Sequence, residues 1–214
     1  MTRKEMKKKL FQEVINKIAH LGFENKVRGN CIWRNTNLGK VAVQLCFVDN
    51  FDDFEIKLIF AVRVEEVERL KNDFFNFTKR KGVNETATIS VEYGFVPYRN
   101  YKWWTISDEK DIEVVSKEIS NKIETSGEQY FNQYSDLESI FQLVLSNDES
   151  TFMYRPSGNL DAIIAVSLAL IMGKPNIQEI IKLKEEHLKG YNTTFYFENF
   201  QEFLFMLKNK NILN

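Results

Sequence analysis

A chain of 214 residues with 30 acidic and 29 basic side chains carries a formal net charge of −1, which excludes a global field that would draw in nucleic acid or an anionic membrane. Aromatic residues make up 14% of the chain, 18 of them Phe, and charged residues 28%, so disorder is excluded beyond the termini and a substantial core is expected. Two cysteines, Cys31 and Cys46, are too few and too widely spaced for a disulfide framework or a metal-type pair, and read as reduced, half-buried thiols.

The first residues, Met1 to Lys9, run into an amphipathic helix rather than a leader, which points to the cytoplasm. In that helix Met6, Leu10, Val14, Ile18 and Leu21 recur at spacings of three and four, ending at Gly22. Phe23–Arg28 and Cys31–Asn35 flank Gly29-Asn30, a pair suited to the positive φ of a tight hairpin. Val41, Val43, Leu45 and Phe47 then alternate with Ala42, Gln44, Cys46 and Val48, giving a strand with one apolar and one mixed face. After the turn residues 49–53, strict alternation from Phe54 to Val64 gives the clearest strand. A short helix over 65–77 and a polar loop to Asn84 follow, and strands are expected over Ala87–Phe95 and Tyr101–Ile106.

The hydrophobic period then changes from two to that of a helix. Ser107 reads as an N-cap before Ile112, Val115, Ile119 and Ile123, and Ser135 with Glu138 reads as a capping box before Leu137, Ile140, Phe141 and Val144. Asp148–Gly158 reads as a loop. Leu160–Ile171 is apolar round most of its circumference and reads as a central buried helix; its longest apolar run, Ala162–Met172, is far short of the roughly 20 residues that span a bilayer. Gly173, Lys174 and Pro175 break it, and two further helices carry Ile177, Ile180, Ile181 and Leu188, then Phe200, Phe203, Leu204 and Leu207. Strands first and helices last predict an α+β fold, an antiparallel sheet with segregated helices, in a single domain over 1–214 whose sheet portion ends at 107 and whose helical portion starts at 108.

Catalytic equipment is sparse. The only histidines, His20 and His187, lie far apart, each near a helix end. No phosphate-binding glycine loop, nucleophile elbow or zinc spacing occurs, so no cofactor, no metal ligand and no catalytic residue is assigned. Asp49, Asp52 and Asp53 could converge on a hard cation, but they lack the glycine and final Glu of a calcium loop and read instead as a solvated hairpin tip. Glu65, Glu66 and Glu68 suit the start of the helix that they open. A metal-dependent hydrolase or nuclease would have to use these carboxylates. The basic run Arg3, Lys4, Lys7, Lys8 and Lys9 reads as a solvated helix face rather than a nucleic-acid surface.

Two places carry binding chemistry. The segment Tyr98-Arg99-Asn100-Tyr101-Lys102-Trp103-Trp104 combines large aromatics with two cations, as interface hot spots do, and its candidate partner-binding residues are Tyr98, Arg99, Tyr101, Lys102 and Trp104. The second is the mixed strand face, where Gln44 and Cys46, with Arg34 expected from the neighbouring strand, either hold a small ligand or nucleotide or form a hydrogen-bonded underside of the sheet.

The leading helix followed by Leu21-Gly22-Phe23-Glu24-Asn25-Lys26, then Asn30–Arg34 with Trp33-Arg34, then a strand carrying Gln44, resembles the bacterial domains of unknown function catalogued as DUF 4304. Leu45 and Cys46 stand where that pattern has a basic residue and Ser. The motifs cover the first fifth of the chain and the order of elements the rest. The resemblance implies a cytoplasmic bacterial α+β protein with no established catalytic residues, some of whose relatives look immunity- or defence-associated. The expected function is therefore a non-enzymatic protein-binding module with a partner such as a genome-neighbour toxin or defence protein, with a sheet-face ligand sensor as the alternative.

Overall fold

The computed structural model describes residues 1–79, 86–94, 102–146, 149–156 and 158–213. The fold is α+β, with a six-stranded antiparallel sheet drawn from the N-terminal half. Helix α1 (Arg3–Ile18) buries Met6, Leu10, Val14 and Ile18, and Thr2 with Glu5 forms a reciprocal capping box at its start. The strands are β1 (Val27–Arg28), β2 (Cys31–Thr36), β3 (Gly39–Asp49), β4 (Phe54–Val64), β5 (Ile89–Glu92) and β6 (Trp104–Ile106). They run in the order β1-β2-β3-β4-β5, with β6 also paired to β4.

Both residues of the Gly29-Asn30 turn have positive φ, 57° and 64°, as a two-residue hairpin between β1 and β2 requires. The strand expected from Phe23 shrinks to the two residues of β1. The last two strands are shorter than their patterns suggest, and the expected extension to Phe95 lies outside the described residues, as does Tyr101.

The helices after β4 are α2 (Glu65–Phe77), α3 (Asp111–Lys122), α4 (Glu128–Gln133), α5 (Leu137–Leu145), α6 (Asn159–Ile171), α7 (Ile177–Lys189) and α8 (Phe195–Asn209). A π-helical turn, Ile123–Gly127, joins α3 to α4. Two helix starts differ from expectation because a carboxylate takes the place of a serine. The Asp111 carboxylate accepts from the Ser107 and Asp108 N–H groups at 2.8 and 3.0 Å. Asp136, not Ser135, caps α5 by accepting from the Ser139 N–H at 2.8 Å, and Glu138 instead accepts from Lys174 and Gln142.

The chain divides into two compact units, each built from two stretches: Met1–Arg63 with Ser90–Ser135, and Val64–Ile89 with Asp136–Asn214. The division therefore does not fall at 107/108. α3 and α4 belong with the sheet, where α3 packs on α1 and β6, whereas α2 belongs with the later helices, where it packs on α6 and α8.

In the first unit most of the core lies against one sheet face, with Trp33 and Ala42 buried on the other. Val41, Val43, Leu45, Phe54, Ile56, Leu58 and Phe60 are buried on the first. Phe47 stands edge-on to Phe11 of α1 at 5.5 Å and to Phe54 at 5.7 Å, and Phe60 meets Tyr93, Tyr130 and Phe131 at 5.8 to 6.3 Å. Gly127 serves this core by being small, because a Cβ there would lie 3.0 Å from the Phe60 ring.

In the second unit α6 is the central helix, buried at every position from Asp161 to Ala169 and in contact with α2, α5, α7 and α8. Two buried ion pairs brace that unit. Glu68 of α2 accepts from Lys71 at 2.8 Å, from Thr88 at 2.9 Å and from Thr86. Lys184 of α7 donates to Asp161 of α6 at 2.6 Å and to the Val144 carbonyl, and both its side chain and that of Asp161 are buried.

Candidate functional site

The aromatic-basic segment is split by the pleat. Tyr98, Arg99 and Tyr101 lie outside the described residues. Trp104 pairs with Ile56 across β6 and β4, is 4% exposed, stacks on Tyr93 at 5.8 Å and donates its indole N–H to Glu118 at 2.9 Å. It is a core residue and cannot serve as a partner anchor in this state. Lys102 is exposed, 3.6 Å from Glu118, with its ammonium 5.5 Å from the Trp104 ring. The indole left outside is that of Trp103, 36% exposed, with Lys57 Nζ 4.0 Å from its ring and its N–H donated to Glu92 at 3.0 Å.

The expected ligand face does not assemble. The register pairs Cys31 with Gln44, Trp33 with Ala42 and Arg34 with Val41, so Arg34 projects to the core side with Val41 and Val43, opposite to Gln44 and Cys46. There its guanidinium donates to both oxygens of Glu128 at 2.8 and 3.1 Å and to the Leu21 carbonyl at 3.0 Å, with the Phe23 and Phe131 rings 4.8 and 5.4 Å away. A cavity of about 250 Å³ beside it is lined by Arg34, Asn37, Val62, Phe131 and Tyr134 among others. On the opposite face, burial pushes the Cys46 thiol up against the opposing pull of Lys57, which leaves it a poor nucleophile near neutral pH.

Glu68, singled out with Glu65 and Glu66, is buried in the pair with Lys71, whereas several of the other charged groups singled out by the sequence make local surface contacts. Asp49 accepts from Lys7 at 2.7 Å, Asp53 from the Asn50 amide at 2.8 Å, and Lys9 pairs with Glu109 at 2.6 Å, while Arg3 donates to the Asn50 and Phe51 carbonyls. Among the described residues no three His, Cys, Asp or Glu side chains come together in a group that could hold a metal ion. Among the described residues no helix is long and apolar enough to cross a membrane. His20 lies 3.5 Å from Glu124, and burial together with the Lys184 charge holds His187 below its usual range.

A more coherent surface lies in the second unit. The short connection over 190–194 folds α7 and α8 into a helical hairpin, tied by the Gln201 amide donating to Glu185 at 2.7 Å. Gln178, Ile181, Lys182 and Glu185 of α7 and Gln201, Leu204, Phe205 and Lys208 of α8 line a groove of about 610 Å³, to which Leu213 also contributes. Both quartets are spaced i, i+3, i+4, i+7, so each is one helical face two turns long, and the groove runs about 10 Å along the hairpin. Phe205 is 58% exposed, its ring is 6.3 Å from that of the exposed Phe77, and Ile212 is also exposed.

The sequence-level stripe for α8 took Phe200, Phe203, Leu204 and Leu207, all of which are buried. The missed signal was excess. Residues 195–207 also contain Phe195, Tyr196, Phe197, Phe205 and Met206, more apolar side chains than a single buried stripe takes, so some had to face outward.

Comparison of the chain with protein-family models, with curated proteins and with solved structures finds no match.

Proposed function

We propose that the chain is a non-enzymatic, cytoplasmic protein-binding module whose contact surface is the α7–α8 groove of the second unit. The observation that carries this reading is Phe205, a large aromatic held outward at the wall of an apolar-floored groove on a well-packed helical hairpin. An aromatic side chain exposed at the wall of a concave surface suits a protein interface, where such a residue, once buried by the partner, supplies much of the affinity. The N-terminal resemblance to DUF 4304 domains makes a toxin or defence protein encoded nearby the partner class to test first. The ligand-sensor alternative needs Arg34, Gln44 and Cys46 on one face, and the register separates them.

The test is affinity capture from the native cells with the tagged wild-type chain and the Phe205→Asp variant side by side. A charge at an exposed site leaves the core intact. A stoichiometric protein retained by the wild type and reduced roughly 30-fold or more by Phe205→Asp is the expected result. Equal capture by both chains would discard the groove.

A further inference from the structure

The groove is mixed in character, and the balance of its charge bears on what would fit it. Its floor and wall are Ile181, Leu204, Phe205 and Leu213, and two lysines, Lys182 and Lys208, stand on its rim, one from each helix. Among the described residues neither lysine is paired with a carboxylate. The carboxylate that also lines the groove, Glu185, is already engaged by the Gln201 amide. A neutral amide leaves the Glu185 carboxylate charged, so the lining sets two lysines against one carboxylate and is positive on balance.

Two parallel rows of side chains at i, i+3, i+4, i+7, about 10 Å long, form the kind of seat that a third helix occupies when its own apolar ridge enters the space between two packed helices. On the reading that the groove binds protein, we propose that its occupant is an amphipathic helix of a partner protein, with apolar anchors over two turns and acidic residues flanking them. The anchors fill the space against Phe205 and Leu204, and the flanking carboxylates meet Lys182 and Lys208. Such helix-in-groove recognition takes its affinity from the anchors and its selectivity from rim charge.

The probes are two synthetic 14-residue helical peptides with identical leucine anchors at i, i+3 and i+7, one flanked by Glu and the other by Lys, titrated into the full chain by fluorescence anisotropy. The Glu-flanked peptide is expected to bind at least tenfold more tightly. The double variant Lys182→Glu/Lys208→Glu, which changes only exposed positions, is expected to reverse that order, and Phe205→Asp to remove binding of both. Absence of binding by either peptide, or equal binding regardless of flanking charge, overturns the proposal. So does a wild-type dimer in sedimentation that Phe205→Asp dissociates, which would give the groove to a second copy, and so does binding to phosphatidylserine vesicles without binding to the Glu-flanked peptide. If the peptides fail while Phe205→Asp still strips a captured partner, protein binding stands and the acidic helix falls; if capture is also unchanged, both fall.

Discussion

Replacing Asp161 by alanine is expected to cost about 3–5 kcal/mol of stability, because it strands the Lys184 ammonium in the interior of the second unit. The pair is 2.6 Å apart with both residues 4% exposed, and the other group receiving a bond from Lys184 is the neutral Val144 carbonyl. Burial already holds Lys184 below the usual lysine range, with Asp161 opposing that shift, so the carboxylate is what makes the charged form tolerable. The converse substitution, Lys184→Met, strands the carboxylate, whose second oxygen is buried without a hydrogen bond, and is expected to be nearly as costly. The double variant Asp161→Leu/Lys184→Met removes both charges and should recover most of the loss, since apolar replacement of a whole buried pair is often close to neutral. Urea denaturation of the four proteins checks this. Strictly additive costs would mean that the two groups are not energetically coupled.

Trp104→Ala is expected to cost about 3–5 kcal/mol, and Trp103→Ala less than about 1 kcal/mol. The two indoles are adjacent in sequence but face opposite sides of the sheet. Truncating Trp104 empties the space over Ile56 and Tyr93 and removes the bond to Glu118, whereas Trp103 loses only surface contacts to Lys57 and Glu92. Denaturation midpoints of the two single variants separate these outcomes. Similar costs would contradict the placement of Trp104 in the core.

The α+β class was legible because β4 alternates strictly from Phe54 to Val64 and α6 is apolar almost all round, patterns that burial on one strand face and burial on every helix face impose. The site was much less so. Parity along a strand says which side chains share a face, but which face meets the core, and which residues of the next strand join it, depends on the turn. Here β2 and β3 pair Thr36 with Gly39 around the two-residue turn Asn37-Leu38, so each even-numbered residue of β2 meets an odd-numbered residue of β3. That single register choice takes Arg34 away from Gln44 and Cys46 and gives it to Glu128. Likewise, the pairing of β6 with β4 sends Trp104 inward rather than Trp103. In α8 the core stripe was readable from spacing, while the outward Phe205 could be inferred only from the number of aromatics that had to be housed.

The most direct test of protein binding through the α7–α8 hairpin is hydroxyl-radical footprinting of the purified chain alone and in complex with the partner it captures. Phe205 and Phe77 should lose most of their oxidation in the complex, while Phe51, 94% exposed, should be unchanged. Unaltered oxidation of Phe205, with protection appearing instead at Trp103, would contradict the account and move the interface to the sheet of the first unit.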